Sequence, residues 1–582
     1  MQQYVGKPEQ PAEKLVEDLK RRYEQLKSGP ERANAQQHWE EIAEVLDPNN
    51  RGFSGKRPQG EKRMQLVVDA TGIHAADLLT AGLHGTATNP ATKWHRLATQ
   101  FPDANKDQSI RAYLDKRTEI LFSRRYAPGT RFTSAINEVF SSAGRYGTGI
   151  MYITQRKDGR NLYECRSLTE TVIAENDEGD VDTVMRSFQW TVRQCVLEWG
   201  MDGVSQKLRD QMQANKPDEL ITIVHAVCPR KGYDPSKKNA ANMPVKSVYF
   251  ELDSAHKLEE SGYPRFPFAV FRWAKRPSET YGTGPGSVAL PDVKMLQSMM
   301  RTTIKAAQKA ADPPMWLPDD GVVGPVRGVP GALNYYRGGS DRIIQHPTSD
   351  KLPVTLEIME EVRNRIRQTF FTDILQFVSD KDMTATEVQQ RTAERMRLLG
   401  PVLGRLEEFL GAVIDIEDDI AARAGVLPQV PEAFSEGSGL IPEGLDVELV
   451  VEYVGPIFQA QRQADAQGFA QMLQYAAPLM EADQGASFKA VYSTERIIGW
   501  LGRTFMVPAE LEMTDEEKQH AQQQQQAMQG AAAALPAAQA ANQGAGAVKQ
   551  LADAQAGGGV DLQALMQEMA AQGSLPGGGM MQ

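Results

Sequence analysis

Residues 290–311 read LPDVKMLQSMMRTTIKAAQKAA and residues 356–378 read LEIMEEVRNRIRQTFFTDILQFV, and these two segments decide the fold. In the first, Val293, Leu296, Met300, Ile304, Ala307 and Ala311 recur at three- and four-residue intervals, which puts them on one face of an α-helix. Met359, Val362, Ile366, Phe370, Ile374 and Phe377 do the same in the second. At 1.5 Å rise per residue each helix is about 33 Å long, and equal lengths predict an antiparallel pair. Between them, the stretch from Asp312 to Asp350 carries Gly321, Gly324, Pro325, Gly328, Pro330 and Gly331. It is too rich in turn formers for a linker and too short for a domain, so it predicts a small β-rich knob at the tip of a helical hairpin.

The chain of 582 residues, 41% hydrophobic and 24% charged, has the composition of a soluble globular protein with room for two to four domains. Charges interrupt the apolar residues everywhere, so no window approaches the roughly 20 residues that cross a bilayer. The stretch Met1–Pro8 has no apolar run of the signal-peptide kind, which places the protein on the reducing side of a membrane. Cys165, Cys195 and Cys228 form no CxxC pair and read as free thiols. A net charge of −11 counts against a protein whose whole surface grips nucleic acid. It leaves room for one that surrounds DNA without holding it.

Along the chain, Leu15, Val16, Leu19, Tyr23 and Leu26 make an amphipathic helix ending at Ser28-Gly29-Pro30, and Trp39, Ile42, Val45 and Leu46 make a second ending at Asp47-Pro48. A small-residue helix from Asp69 stops at Gly85, and helices follow near 107–123 and 132–144. Strands then take over, at 146–154 and 161–165 around the turn signal Lys157-Asp158-Gly159-Arg160, and near 170–174, 183–190, 219–228, 245–252 and 266–273. Helices near 191–199 and 203–214 interrupt them, and residues 1–285 read as one α+β domain. Thr384-Ala385-Thr386-Glu387 is a capping box that starts a helix running to about Ala424 with a kink at Gly400-Pro401. The polar loop Val378–Met383 precedes it, and a strand at 447–453 and helices near 457–481, 488–501 and 514–526 follow it. Beyond Gln526 the Ala, Gln and Gly composition predicts a mobile or partner-ordered tail.

Catalytic signatures are missing. Gly52-Phe53-Ser54-Gly55-Lys56-Arg57 lacks the glycine spacing of a phosphate loop and reads as a surface turn. Tyr281-Gly282-Thr283-Gly284-Pro285-Gly286 could cradle an anion with backbone amides, but Pro285 removes a donor, so a structural hinge is the stronger reading. His74, His84 and His95 have no carboxylate or cysteine at metal-ligand spacing, and no G-x-S-x-G elbow exists. Lys294, Arg301, Lys305 and Lys309 share a face of the first long helix, while Glu360, Glu361, Arg363 and Arg367 decorate the second. These charges read as a solvated face, as stripes that pair between neighbouring subunits of a ring, or as basic rings presented to a polyanion.

Three blocks, in order, resemble the portal, or head-to-tail connector, proteins of short-tailed bacteriophages. The first is Asp69-Ala70-Thr71-Gly72 with Ala81-Gly82-Leu83-His84-Gly85 and the run Thr88 to Trp94; the second is Tyr281-Gly282-Thr283-Gly284-Pro285 with Ala289 to Lys294. The third is Met383-Thr384-Ala385-Thr386-Glu387-Val388 with Arg391, Leu399-Gly400-Pro401 and Arg405. His84-Gly85 departs from the small residue expected after that Gly-Leu. Together the blocks cover most of residues 10–505.

The resemblance implies a mainly helical α+β portal fold with wing, stem, clip and crown regions. Residues 1–285 and 384–455 correspond to the wing, 286–311 and 354–377 to the two stem helices, 312–353 to the clip, and 378–383 to the tunnel loop. Residues 456–526 correspond to the crown, and 527–582 are the low-complexity tail. It further implies a dodecameric ring at one capsid vertex, assembled in the host cytoplasm, that conducts double-stranded DNA during packaging and ejection. Ser379, Asp380, Lys381 and Asp382 would face that DNA, and Trp316, Tyr335, Tyr336 and Arg337 of the clip would dock the terminase large subunit and then tail or adaptor proteins. Major capsid and scaffold proteins are the remaining implied partners; no membrane, cofactor, metal or catalytic residue is implied. An acidic average suits such a channel, because tight phosphate neutralisation along its wall would stall the duplex. The rival readings are another capsid or scaffold component of the same virus, and a nuclease or ATPase of DNA packaging.

Overall fold

In the computed structural model the described residues are 12–311 apart from 51, 54–63, 65–66 and 235–238, then four short strands between 315 and 345, and 352–372, 400–434, 441, 449–454, 468–478, 486–504 and scattered positions from 511 to 524. The chain divides into the units Met1–Met506 and Val507–Gln582, and the elements below belong to the first.

Helices α1 (Ala12–Ser28) and α2 (Pro30–Leu46) break where Pro30 takes the first helical position, which needs no N–H. Helix α3 (Thr71–Ala87) runs two residues beyond the expected stop at Gly85. A short strand β1 (His95–Thr99) leads to α4 (Gln108–Arg125), whose first turn is capped by the Asp107 carboxylate accepting from the Ser109 and Ile110 amides. Helix α5 (Phe132–Tyr146) ends on Gly147 in the left-handed conformation that favours glycine at this position.

Strands β2 (Thr148–Gln155) and β3 (Asn161–Arg166) form the hairpin that the Lys157–Arg160 turn foretold. Strands β4 (Thr171–Glu175), β5 (Val181–Thr191), β6 (Leu220–Pro229), β7 (Val245–Glu251) and β8 (Lys257–Tyr263) make an antiparallel five-stranded sheet in sequence order, and β9 (Phe268–Arg272) joins β2 at the edge of a three-stranded one. Side chains alternate across a strand. Accordingly Val224 and Ala226 of β6 pack under α1 with Val16, Leu19 and Tyr23, while Ile221 and Ile223 pack on the other face under Val192, Cys195 and Leu208. Those last three belong to α6 (Val192–Gly203), which starts with a Thr191/Gln194 capping box, and α7 (Gln206–Gln213).

The long helix α8 (Pro285–Ala311) is followed by the strand pairs β10 (Met315–Trp316) with β13 (Ile344–Gln345) and β11 (Val322–Val323) with β12 (Tyr335–Tyr336). The turn-rich insert therefore does carry β-structure. Helix α9 (Leu352–Thr369) returns, then α10 (Gly400–Arg423), and β14 (Leu449–Tyr453) closes onto β1 with His95 opposite Tyr453. Further helices cover 468–478, Ala486–Val491 and Thr494–Thr504. One core draws on Trp39, Leu79, Phe140, Phe271, Val293, Ile366 and Leu410, so helices from both sides of the insert share it. The architecture is a mixed α+β one.

The helix pair is antiparallel, as expected: Arg365 reaches Asp292 at 3.3 Å, while the Thr303 hydroxyl donates to Met359 Sδ at 3.6 Å. The equal lengths are corrected, because α8 has 27 residues and α9 has 18. Helix α9 ends at Thr369, and Phe371 sits in the left-handed region at φ 56°, which interrupts the helix there. The apolar face of α8 is buried unequally: Val293 and Leu296 are 1% exposed, but Ile304 is 40% exposed, because the distal half of α8 leaves the body. Strands β1 and β8 were not foreseen. Ile374, Phe377, the Thr384–Glu387 capping box and the loop 378–383 lie outside the described residues.

Candidate functional site: the joint beneath the helix pair

The two long helices meet the body at a turn centred on Asp69. Gln297 of α8 accepts from the Val68 and Asp69 amides through Oε1 at 2.7 and 3.0 Å and donates to the Asp69 carbonyl at 2.6 Å. From α9, Arg363 donates through Nε and Nη2 to Asp69 Oδ2 at 3.1 and 2.8 Å, and the Thr71 amide donates to Oδ1 at 2.8 Å. Burial pushes the Asp69 carboxyl up, but the Thr71 hydrogen bonds and the Arg363 guanidinium outweigh it and hold the group below the usual carboxylate range. Gly72 belongs to the same joint: a Cβ there would stand 2.7 Å from Leu46 Cδ2 and 3.0 Å from Val293 Cγ2. Only a glycine lets α3, α2 and α8 come this close.

The run Tyr281–Gly286 is the second half of the joint. A Cβ on Gly282 would lie 2.4 Å from the Gly147 carbonyl oxygen, on Gly284 2.5 Å from that of Ala143, and on Gly286 2.2 Å from that of Arg145. The Gly282 amide donates to Thr148 Oγ1 at 2.9 Å and the Thr283 amide to the Ala274 carbonyl at 2.8 Å. These amides are thus engaged inside the fold, and the anion-cradle reading falls. The glycines seat the positive N-terminal end of α8 on the carbonyl end of α5, which the helix dipoles favour.

A buried ion pair ties α10 to α4. Arg125 and Glu417 are both 0% exposed; Arg125 Nε donates to Oε1 at 2.9 Å and Oε2 at 3.1 Å, and Nη2 also donates to Oε2. The Tyr163 hydroxyl donates to Glu417 Oε1 at 2.6 Å, and the guanidinium lies 4.5 Å from the Trp94 ring centre. Burial, with Arg125 second, drives the pKa of neighbouring His95 well below its ordinary value. Arg117 pairs with Asp418 beside it, its Nε at 2.7 Å. On the other side of α10, Arg405 donates to the Trp273 carbonyl at 2.6 Å.

The charges singled out in the sequence fall into two groups. Lys294 is bound within the chain to Glu41 of α2 at 2.6 Å, and its hydrogen bond lowers the pKa of that carboxyl. Arg363 and Arg367 both reach Glu360, at 2.9 and 3.2 Å. By contrast Arg301, Lys305, Lys309 and Glu361 are exposed. Trp316 lies in β10 and Tyr335 and Tyr336 in β12, whereas Arg337 and Ser379 to Asp382 lie outside the described residues. His95 is buried beside Arg125, and no metal-holding cluster of His, Cys, Asp or Glu occurs among the described residues. No helix among them is long and apolar enough to cross a membrane.

Gln297, Arg125 and Glu417 escaped the sequence reading. The signal for the last two was present: Glu417 follows Val413 by four residues and precedes Ile420 by three, and Arg125 follows Leu121 by four. A charge set on an apolar stripe is a buried charge with a partner elsewhere.

The family described as bacteriophage head to tail connecting protein matches residues 16–512. The chain belongs to this connector family. It is 32% identical over 452 residues to the probable portal protein of Bordetella phage BPP-1, covering 76% of this chain and 79% of that protein. It is 28% identical over 467 residues to the portal protein of Salmonella phage epsilon15, covering 78% and 81%. The neck of a native gene transfer agent particle shares 13% identity over 69% of this chain and 87% of its own at a TM-score of 0.32, a likeness too distant to bear weight. The connector is thus a portal-type component of the phage virion at the head–tail junction. Of the three blocks of the resemblance, Asp69–Gly72 and Tyr281–Pro285 form the joint and Arg405 fastens α10, while Met383 to Leu399 lie outside the described residues.

Proposed function

We propose that twelve copies of this connector close into a ring at one capsid vertex, and that double-stranded DNA is packaged and later ejected through its axial channel. The observation that carries this reading is the family match across residues 16–512, which takes in the whole helix pair and both halves of its joint. In this reading α8 and α9 are the stem, the insert from 312 to 353 is the clip that docks the terminase large subunit and then tail or adaptor proteins, and 378–383 is the tunnel loop facing DNA. Residues 1–285 and 384–455 form the wing and residues 456–526 the crown, and the major capsid and scaffold proteins are further partners. The protein does no chemistry itself; the packaging ATPase is a separate partner.

The rigid joint supports this assignment. A stem that must hold a fixed bore while a duplex slides past needs its base locked to the wing, and the Asp69 network and glycine seat supply that lock. Electron microscopy of the purified protein tests the reading directly. Annular particles with an axial hole and twelve subunits are expected; shells, rods or monomers at every concentration and salt condition would overturn it.

A further inference from the structure

Thr303 and Met359 face one another where α8 and α9 cross, in contact at 3.6 Å, and they fix both the height and the orientation of every neighbouring residue on the pair. A residue two positions along a helix is turned by about 200°. Arg301 and Lys305, two positions either side of Thr303, therefore stand on the back of α8, away from α9. Glu357 and Glu361, two positions either side of Met359, stand likewise on the back of α9, away from α8. All four are exposed. Because the helices run antiparallel, Lys305 and Glu357 both lie about 3 Å to one side of the Thr303–Met359 contact, and Arg301 and Glu361 both lie about 3 Å to the other. The helix pair thus carries a basic back and an acidic back with their charges at matched heights.

Arg363, Arg367 and Glu360 do not join these backs. They are committed within the chain, Arg363 to Asp69 and Glu360, and Arg367 to Glu360. Arg301 is also engaged within its own chain, which makes Lys305 the deciding cation.

We infer that a second copy of this chain is the occupant of the basic back: Lys305 of one copy meets Glu357 of the next. The inference rests on the ring reading. Rotation about a ring axis carries a copy sideways without raising it, so for a stem running along the axis the groups that meet are those at equal height on opposite sides of the pair. The contact is heterologous, each copy using its α8 back on one side and its α9 back on the other, which is what closes a ring. The basic stripe is then part of the wall between copies and not a lining aimed at DNA. Exposed apolar residues at the same level, Ile304 on α8 and Leu356 on α9, flank the charges and would be covered in the same contact.

Charge exchange on the full-length chain tests this, using Lys305→Glu, Glu357→Lys and the double variant, with assembly followed by mass photometry and electron microscopy across protein and salt concentrations. Each single reversal sets like charges against each other at every interface, so the concentration at half-assembly is expected to rise roughly tenfold or more. The double variant carries the complementary pair with its sign inverted, and is expected to return within about threefold of the native chain. Unchanged unfolding midpoints are expected for all three variants, since the side chains are exposed in the monomer. The inference is overturned if the single variants assemble like the native chain while it forms rings, if the double variant is no better than the singles, or if Lys305→Glu lowers only DNA retention in intact rings. Failure of the native chain to form rings would instead remove the ring reading underneath.

Discussion

Replacing Glu417 by glutamine probes the buried tie between α4 and α10. The carboxylate accepts three donations from Arg125 and one from Tyr163, and neither side chain of the ion pair has any exposed surface. Glu417→Gln keeps the shape but leaves a guanidinium buried among Trp94, Phe122 and Phe132 without a counter-charge. Breaking a buried pair from one side costs about 3–5 kcal/mol. Removing both charges with Arg125→Met and Glu417→Leu should cost less than the single change, because no uncompensated ion remains, although Tyr163 and His95 each lose a partner. Urea unfolding followed by tryptophan fluorescence reads this well, since Trp94 lies against the pair. A loss below about 1 kcal/mol for Glu417→Gln, or a double variant less stable than the single one, would refute the claim that this pair locks α10 to α4.

Gly282→Ala forces a Cβ to within 2.4 Å of the Gly147 carbonyl oxygen and should lower stability by about 1–3 kcal/mol in thermal unfolding, whereas Gly85→Ala, with open space around its Cβ, should be neutral or slightly stabilising. Burial drives His225 down to about 3, with Arg166 and Arg186 reinforcing it. The unfolded chain then binds a proton below about pH 6.5 that the folded chain refuses, so stability should fall by about 1.4 kcal/mol per pH unit from 6.5 toward 3; His225→Gln should flatten that slope in pH-dependent unfolding. Asp69→Asn removes the charge that holds Arg363 and should cost about 1–3 kcal/mol at pH 7, with a difference from the native chain that vanishes as pH falls through the depressed Asp69 titration. Hydrogen exchange at the base of α9 should quicken in the same variant.

Local signals carried most elements. The hairpin at Lys157–Arg160, the break at Ser28-Gly29-Pro30 and the apolar periodicity of Val293, Leu296, Met359 and Val362 each act within a few residues, and each structure formed as read. Strand β1 was missed because its partner β14 lies some 350 residues away and its own five residues show no alternation, all but the half-buried Arg96 being buried. Strand β8, with Glu259 and Glu260 and a half-exposed face, is held by its neighbour β7 more than by its own propensity. The site was legible only as motifs. Asp69, Gly72 and Gly282 stood out in the sequence, but that Gln297 and Arg363 close over Asp69 from two different helices is a tertiary fact no spacing encodes. Lys294 likewise belonged to the basic stripe by spacing and to Glu41 by geometry.

The chain leaves the core beyond Leu296 in the distal half of α8 and is back in it at Met359 of α9, and on either side of the helix pair β1 is zipped to β14 and Arg125 is clasped to Glu417. Both roots of the projecting arm are therefore planted in the same ground. A tug on its tip from a partner pulls two anchors against one shared core, and the polypeptide cannot be unspooled as a thread would be from a single free end.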